Sequence, residues 1–315
     1  MELDKKRLNV HLYVTPLCNL KCNHCYYDAW AIKDNFPHLL SVDEITHIIT
    51  SLSDNFSVAF DVEGGEFFIR KDIYNIFKSV DPKYWKNVTI TTNGTIPIIE
   101  GITCLQNLDE FRVSIEGHKD ELQQELRGTN IAPIVRTCLQ VQEFGVTPTL
   151  RITLTKKNYD QINDMLDYFL NLGLRRFSFY EFQPVGRGRQ FEQLYALSAQ
   201  NVEQILISLP SSPSFSEIDV LKFSFNTKRV SLLDTYKNML KQKGFEMTDI
   251  WDVPSLTIDY DGALGICPWN IRGENLGLYQ GVSFVEDVKN LLEKGMLNHT
   301  CDYCSAVRII YKSSN

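Results

Sequence analysis

The sequence contains no apolar run long enough to cross a bilayer, since no stretch approaches the roughly 20 residues of a membrane-spanning helix. Its first residues, MELDKKRLNVHLYV, lack the long apolar segment of a secretory signal peptide. Internal repeats and low-complexity segments are also missing, which argues against solenoid and disordered architectures. We therefore expect a globular protein of the cytoplasm.

An excess of basic charge is missing too. The chain has 32 Lys and Arg residues against 39 Asp and Glu residues, which gives a net charge of −7. Proteins that bind nucleic acid usually carry a basic patch or stripe, so this balance argues against a nucleic-acid partner. The 315 residues, 43% of them hydrophobic, are enough for one large domain and a smaller one.

Eight cysteines are what the chain does have. Without a secretion signal, so many thiols indicate metal binding or catalysis rather than disulfides. Cys18, Cys22 and Cys25 have the spacing C-x3-C-x2-C within TPLCNLKCNHC. Three thiols are one too few for a closed zinc site, whereas three thiolates on a 4Fe-4S cube leave one iron open to another ligand. A zinc site with a fourth ligand elsewhere is the alternative.

Alternation of apolar and polar residues predicts six strands, with helices between most of them. The predicted strands are 8–14, 57–62, 87–92, 110–115, 147–154 and 175–182. Such a succession is typical of parallel strands joined by βαβ crossovers. Six strands are too few for a closed eight-stranded barrel, so we predict an open, partial barrel. Ser41 with Glu44, and Ser283 with Glu286, each fit a helix capping box.

The remainder of the chain has a different pattern. Helical segments precede SLTIDYDGALGIC, which predicts a hairpin around Asp261 and Gly262. A last helix follows from Ser283, and the sequence HTCDYC comes close after it. We therefore predict two domains, a barrel over 1–191 and a smaller α+β domain over 192–315.

Four further segments follow predicted strands, where α/β proteins place their sites. They are VEGGEFF (62–68), TTNGT (91–95), VSIEGHKDELQQELRGTN (113–130) and FQPVGRGR (182–189). Together with the cysteine triplet they resemble the radical S-adenosylmethionine (SAM) superfamily over residues 8 to about 190. The resemblance implies a partial (β/α)6 TIM-like barrel. It also implies a 4Fe-4S cluster whose open iron binds SAM, which is then cleaved reductively to a 5′-deoxyadenosyl radical.

The resemblance also implies which residues bind the cofactor. The SAM-binding residues would be Gly64, Gly65, Glu66, Asn93, Ser114, Glu116, Arg127 and Val185. Glu66 would accept from the SAM ammonium, and the glycines would let the backbone approach a ligand closely. Ser114 and Glu116 would lie near the ribose or methionine part, Arg127 near the carboxylate, and Val185 against the adenine.

Three late cysteines, Cys267, Cys301 and Cys304, resemble the twitch and SPASM extensions of radical SAM enzymes. That resemblance implies a second, auxiliary 4Fe-4S cluster with three thiolate ligands. Candidates for its fourth ligand are His299, Asp302, Asp249 and Asp252, or the position is open to substrate. The alternative metal is zinc, bound by the three cysteines and His299.

The predicted activity is modification of a ribosomally made peptide by crosslinking, epimerisation or oxidation, with an electron donor such as flavodoxin or ferredoxin. Because the first strand begins near the start of the sequence, we expect no N-terminal leader-binding domain. Two alternatives are a twitch-type dehydrogenase of a sugar or cyclitol and a non-catalytic Fe-S or zinc scaffold. No catalytic residue is assigned; Tyr180 and Glu181 end the sixth predicted strand and face either the cavity or solvent.

Overall fold

The computed structural model describes residues 5–29, 38–98, 103–208, 213–249, 253–268, 275–298 and 305–312. All six predicted strands are present, and a seventh follows them in the same direction. These strands are β1 (Arg7–Tyr13), β2 (Ser57–Glu63), β3 (Val88–Thr92), β4 (Glu110–Ser114), β5 (Pro148–Leu154), β6 (Arg176–Glu181) and β7 (Val220–Asn226). Each pairs in parallel with the next, so the predicted succession of βαβ units is confirmed.

Four further strands extend this sheet at both ends. They are β8 (Glu246–Asp249), β9 (Ser255–Ile258), β10 (Leu264–Gly265) and β11 (Ser305–Lys312). The hairpin of β9 and β10 adds to β1, and β11 followed by β8 adds to β7. The result is one sheet of eleven strands, β10-β9-β1-β2-β3-β4-β5-β6-β7-β11-β8. Its two edge strands, β10 and β8, do not pair with each other, so the sheet is open. The division predicted at residue 192 falls inside this continuous sheet, and it stays a prediction.

Helices connect the strands. The α-helices of the described residues are α1 (Val42–Asn55), α2 (Ile73–Ser79), α3 (Pro82–Trp85), α4 (Asp120–Arg127), α5 (Ile131–Glu143), α6 (Ile162–Asn171), α7 (Glu192–Tyr195), α8 (Ala199–Ser208), α9 (Val230–Gln242) and α10 (Phe284–Glu293). Within the described part of the chain, no helix is both long and apolar enough to span a bilayer.

The two predicted capping boxes have different outcomes. At α1 the Ser41 hydroxyl accepts from the Glu44 amide, and the Glu44 carboxylate accepts from the Ser41 amide. At α10 the predicted box is wrong, because the Ser283 hydroxyl donates to Asp287 at 2.9 Å instead of capping the helix. A carboxylate one turn into the helix competes for the hydroxyl there, and the sequence pattern alone does not show this competition.

The two faces of the sheet have opposite character. Leu8, Val10 and Leu12 of β1 are buried in one apolar cluster with side chains of the helices. On the other face Glu110 of β4 accepts from Lys222 of β7 at 2.9 Å, although two strands lie between them. A flat sheet would separate β4 and β7 by about 14 Å. The sheet therefore curls into a partial barrel, as predicted, and charged side chains lie in its interior.

Candidate active site

The cysteine triplet lies in the loop that follows the carboxyl end of β1. The Gly65 amide donates to the Thr15 carbonyl, and the Glu66 amide donates to the Leu17 carbonyl, both at 2.7 Å. The segment after β2 therefore continues the β1–β2 pairing into the cysteine loop. Among the described cysteines no disulfide forms, so Cys18, Cys22 and Cys25 are free thiols.

The two glycines of the GGE segment let it pack against this loop. A Cβ added at Gly65 would lie 2.0 Å from the Leu17 carbonyl oxygen, and one added at Gly64 would lie 2.6 Å from the Thr15 oxygen. Real Cβ atoms do not approach backbone oxygens so closely. The glycines let two backbone segments meet, and the close approach to a ligand expected from the sequence stays a prediction.

The segment after β6 holds the third cysteine from the other side. The Arg187 amide donates to the Cys25 carbonyl at 2.9 Å, and the Arg187 side chain pairs with Asp28. Gly186 has φ +55°, and a Cβ there would lie 2.1 Å from the Tyr26 carbonyl oxygen. Loops from β1, β2 and β6 thus fix the triplet at the mouth of the barrel.

A cavity opens beside the three thiols. Nine of the sequence-predicted residues line it: Cys18, Cys22, Cys25, Gly64, Gly65, Glu66, Asn93, Ser114 and Arg127. Two others, Glu116 and Val185, are buried but are not on its wall. The structure therefore brings most of the predicted cofactor site together around one space.

The thiols suit a metal cluster. Burial raises the pKa of Cys18 to about 11 and that of Cys22 to about 12, while the charge of Arg127 acts in the opposite direction on both. Such thiols stay protonated at neutral pH unless a metal displaces the proton. Three soft ligands from one loop, facing a cavity, fit a 4Fe-4S cluster with one open iron.

Glu66, the last residue of the GGE segment, is held by three hydrogen bonds to its carboxylate. Its carboxylate accepts from the Thr92 hydroxyl and the Asn93 amide, both at 2.6 Å, and from the Phe68 amide at 3.1 Å. Burial raises its pKa in spite of these donors. An ionised carboxylate has about four acceptor positions, so three bonds leave one for a ligand in the cavity.

Glu116 anchors two neighbours instead of lining the cavity. Its side chain is completely buried, and its carboxylate accepts from Arg127 at 2.6–2.8 Å and from the Thr153 amide at 2.6 Å. The His24 Nε2 atom lies 3.1 Å from the same carboxylate. Burial opposes its ionisation, but the charges of Arg127 and then His24 hold the pKa of Glu116 below its usual value.

Through this contact Glu116 orients Arg127 toward the cysteine loop. The Arg127 Nη1 atom is 3.9 Å from the Cys22 sulfur, and the side chain also lines the cavity. His24 is held on the same carboxylate, and its Nδ1 atom is buried without a hydrogen-bond partner among the described residues. A cation beside an open iron suits a ligand that carries a carboxylate.

The other predicted residues have their own surroundings. The Asn93 side-chain amide donates to Asn19 at 2.9 Å and lies 3.9 Å from the Cys18 sulfur. Ser114 ends β4 and faces the cavity. Val185 follows β6 and is 7% exposed. The SAM contacts expected for these residues stay predictions.

Of the late cysteines, only Cys267 lies within the described residues. It is buried, in the segment that follows β10. This segment contacts the end of β1, since the Tyr13 hydroxyl donates to the Pro268 carbonyl at 3.3 Å. Cys301 and Cys304, and the candidate fourth ligands His299, Asp252 and Asp302, lie outside the described residues. Asp249 ends β8.

Several residues of the cavity wall were missed by sequence reasoning. Arg151 of β5 and Glu63 of β2 line it, together with Tyr26, whose hydroxyl hydrogen-bonds to Glu63. The alternation in β5, where Thr149, Arg151 and Thr153 interleave with buried leucine and isoleucine, is the signal that could have found Arg151. A polar residue at an inward position of a barrel strand is a candidate for the lumen.

Comparison with known proteins agrees with this geometry. A family model described as the radical SAM superfamily matches residues 12–169, which is half of the chain. The chain belongs to the radical SAM superfamily. Radical SAM enzymes use a 4Fe-4S cluster and SAM, so the family and the type of cofactor predicted from the sequence are confirmed. The twitch or SPASM character of the carboxyl-terminal part is not tested by this match.

Two radical SAM relatives of this chain have names that describe different reactions. The antilisterial bacteriocin subtilosin biosynthesis protein AlbA of Bacillus subtilis is 26% identical over 187 residues, covering 58% of this chain and 41% of AlbA. A probable GTP 3′,8-cyclase of Sulfurisphaera tokodaii is 26% identical over 203 residues, covering 63% of each protein. The matched part is less than two thirds of both relatives.

A solved structure matches over nearly the whole length. SuiB of Streptococcus suis, bound to its precursor peptide SuiA, superposes with a TM-score of 0.71 at 16% identity, over 96% of this chain and 70% of SuiB. At this identity the likeness is one of fold. It supports the radical SAM partial barrel together with the carboxyl-terminal strands that extend it.

The close fit between the GGE segment and the cysteine loop gives a first testable prediction. Gly65→Ala should displace the cysteine loop, because the new methyl group would overlap the Leu17 carbonyl. We expect the purified protein to lose most of the iron of the first cluster and at least nine tenths of its SAM cleavage, measured by iron analysis and by 5′-deoxyadenosine formation.

Gly128→Ala is the matched control. A Cβ at Gly128 meets nothing within 4 Å, and the cost is the strain of φ +72°, about 1–2 kcal/mol. This variant should keep its iron. Wild-type iron and cleavage in Gly65→Ala would show that the loop has more room than the structure indicates.

Proposed function

We propose that this chain cleaves SAM reductively and uses the resulting radical to modify a ribosomally made peptide. One arrangement carries the proposal: three thiols without disulfide partners face a cavity together with Glu66 and Arg127. When bound there, the cluster and SAM supply an electron and a 5′-deoxyadenosyl radical that abstracts a substrate hydrogen.

The residues of the chain hold and orient the cofactors. Cys18, Cys22 and Cys25 would bind the cluster, Glu66 would accept from the SAM ammonium, and Arg127 would pair with the SAM carboxylate. Glu116 would position Arg127 without touching SAM, because its carboxylate already accepts hydrogen bonds from Arg127 and from the Thr153 amide. The barrel walls keep water from the reacting atoms, which protects a radical from side reactions.

The relatives support a peptide substrate. AlbA takes part in the biosynthesis of a bacteriocin, and SuiB has been solved with a precursor peptide. The match to a probable GTP cyclase supports a second candidate, a reaction on a small molecule. No comparison specifically favours the sugar or cyclitol dehydrogenase. A scaffold without catalysis would not need the cavity beside the thiols.

The experiment is a direct competition between these candidates. Anaerobically reconstituted protein, SAM and dithionite would be incubated with peptides encoded by short reading frames beside the gene, or with GTP. Formation of 5′-deoxyadenosine together with a mass change of a peptide supports the proposal. Consumption of GTP without any peptide change would favour the small-molecule candidate, and failure to cleave SAM under every condition would refute both.

We also propose that Cys267, Cys301 and Cys304 hold a second 4Fe-4S cluster, with zinc as the alternative metal. The burial of Cys267 and the contact of its segment with the end of β1 support a site close to the barrel mouth. A cluster there would accept an electron from the substrate radical or bind the substrate through its open iron.

Arg127 should be important for SAM affinity. A charge-assisted bond to a carboxylate contributes about 1.5–3 kcal/mol, so Arg127→Ala should weaken SAM binding about ten- to a hundredfold. Equilibrium dialysis with reconstituted protein would measure the Kd, and iron analysis would verify that the cluster remains. Glu116→Gln keeps the Arg127 charge and should lose less affinity. An unchanged Kd in Arg127→Ala, at full iron content, would contradict this assignment.

A further inference from the structure

Arg151 is an arginine of the barrel interior whose ion pair with Glu63 is too long for a hydrogen bond. Its side chain is 15% exposed and lines the cavity. The nearest carboxylate oxygen, on Glu63, is 3.7 Å from its Nη1 atom, and its guanidinium donates no side-chain hydrogen bond within the described residues. These N–H groups are open to the cavity and are available to an acceptor that enters it.

Arg112, on the neighbouring strand β4, is an arginine of the same barrel whose guanidinium has hydrogen-bond acceptors. Its Nε donates to Glu110 and its Nη1 to Asp61, both at 2.7 Å. Glu63 does not serve Arg151 in this way, because its nearer carboxylate oxygen is 3.7 Å from the Arg151 Nη1 atom, beyond hydrogen-bond distance. Its other oxygen accepts from the Tyr26 hydroxyl. The contrast is between two arginines on neighbouring strands, one held by two short hydrogen bonds to carboxylates and one that has a single longer ion pair and faces the cavity.

Tyr180 of β6 is a second unsatisfied donor beside Arg151. The Arg151 guanidinium lies 4.5 Å from the centre of the Tyr180 ring, and both side chains line the cavity. Within the described residues the Tyr180 hydroxyl makes no hydrogen bond. Burial would raise the pKa of Tyr180, but Arg112, Arg151 and Arg308 outweigh it and hold the pKa below its usual value. The surroundings of this hydroxyl therefore favour negative charge.

We propose that Arg151 and Tyr180 bind a carboxylate group of the substrate. A planar guanidinium with several free donors matches a carboxylate in shape as well as in charge, and a phenol hydroxyl adds a further donor. The inference rests on the proposed function, under which the carboxylate belongs to an acidic side chain or the carboxyl terminus of a peptide. It adds a specificity element that neither the sequence motifs nor the comparisons assign.

SAM also carries a carboxylate, and the structure favours Arg127 for that one. A SAM molecule bound to the open iron must hold its carboxylate next to the cysteine loop. The charge of Arg127 acts on both Cys18 and Cys22, and its Nη1 atom is 3.9 Å from the Cys22 sulfur. Arg151 instead has Glu63 and Tyr180 as neighbours.

The test uses acetate as the carboxylate probe and nuclear magnetic resonance of protein with 15N-labelled arginine, anaerobically reconstituted with its cluster. The Arg151 signal is identified by its loss in Arg151→Lys. Acetate, added at constant ionic strength, should shift the Arg151 signal to saturation and leave that of the paired Arg112 in place. Acetamide should shift neither. Tyr180→Phe should weaken acetate binding about tenfold, the effect of losing one bond to a charged acceptor.

Repeating the titration with saturating SAM distinguishes the two sources of a carboxylate. An acetate Kd unchanged by SAM supports a substrate site. Displacement of acetate by SAM in a competitive manner would assign the site to SAM and overturn the proposal, as would an Arg151 signal that acetate does not move. The proposed function has its own readout, because its failure would appear as absent 5′-deoxyadenosine while the acetate response could persist.

Discussion

Replacing Cys18, Cys22 and Cys25 together by alanine should abolish the formation of 5′-deoxyadenosine, to the level of a protein-free control. The physical reason is that each thiolate holds one iron of the cube, and SAM has no other iron to bind in this cavity. Burial also raises the pKa of Cys18 and of Cys22, so these thiols lose their protons only when they bind the metal. The measurement is anaerobic incubation with SAM and dithionite, followed by chromatography.

Cys138→Ala is the matched control for this experiment. Cys138 is a completely buried thiol of α5, packed in the apolar core and far along the chain from either cysteine group. Its loss removes only a small apolar contact, so cleavage of SAM should survive. Persistent cleavage in the triple variant would refute the proposed radical SAM activity of this site, whatever the behaviour of the control.

Iron and sulfide analysis should show a second cluster in the same chain. We expect about eight irons in the wild-type protein and about four in the Cys18/Cys22/Cys25→Ala variant, since each cube contains four. A combined Cys267/Cys301/Cys304→Ala variant should likewise keep about four, and these should be the irons that respond to SAM. The two variants together assign each half of the iron to one group of cysteines.

Loss of the second cluster should also loosen the carboxyl-terminal part of the chain. Cys267 follows β10, at the end of the sheet that adds to β1, whereas Cys301 and Cys304 precede β11, at the end that adds to β7. A cluster that binds all three would link the two ends of an open sheet. We expect faster hydrogen exchange in β9 and β11 of the Cys267/Cys301/Cys304→Ala variant than in the wild type.

Zinc without sulfide in the Cys18/Cys22/Cys25→Ala variant would exclude a second Fe-S cluster and leave a structural zinc site. If iron and sulfide are present, substrate addition followed by paramagnetic resonance would separate the two proposed roles. A spectrum of the reduced protein that changes on substrate addition indicates ligation, and an unchanged spectrum indicates electron acceptance alone.

The sequence predicted the elements whose signals are local. The six strands of the barrel alternate apolar and polar residues, and each was found within about one residue of its observed limits. The Ser41 capping box and the Gly262 turn, with φ +85°, were also correct. In each of these cases the deciding interactions lie within a few residues of each other along the chain.

The elements that were missed depend on distant partners. β11 was not predicted, and its backbone is paired on both sides, with β7 and with β8. β7 has an alternation of Leu221, Phe223 and Phe225 that was overlooked. No short-range signal shows that both would join the barrel sheet, because strand pairing depends on which edges the fold leaves open.

The cysteine spacing and the GGE segment by themselves determined the family and its cofactors. Only the tertiary structure decided what the neighbouring charges do. Glu116 turned out to anchor Arg127 and His24, and Arg151 turned out to face the cavity with only a long ion pair to Glu63. A motif specifies residues in one loop, whereas the balance of buried charges depends on how the curled sheet brings side chains from separate strands together.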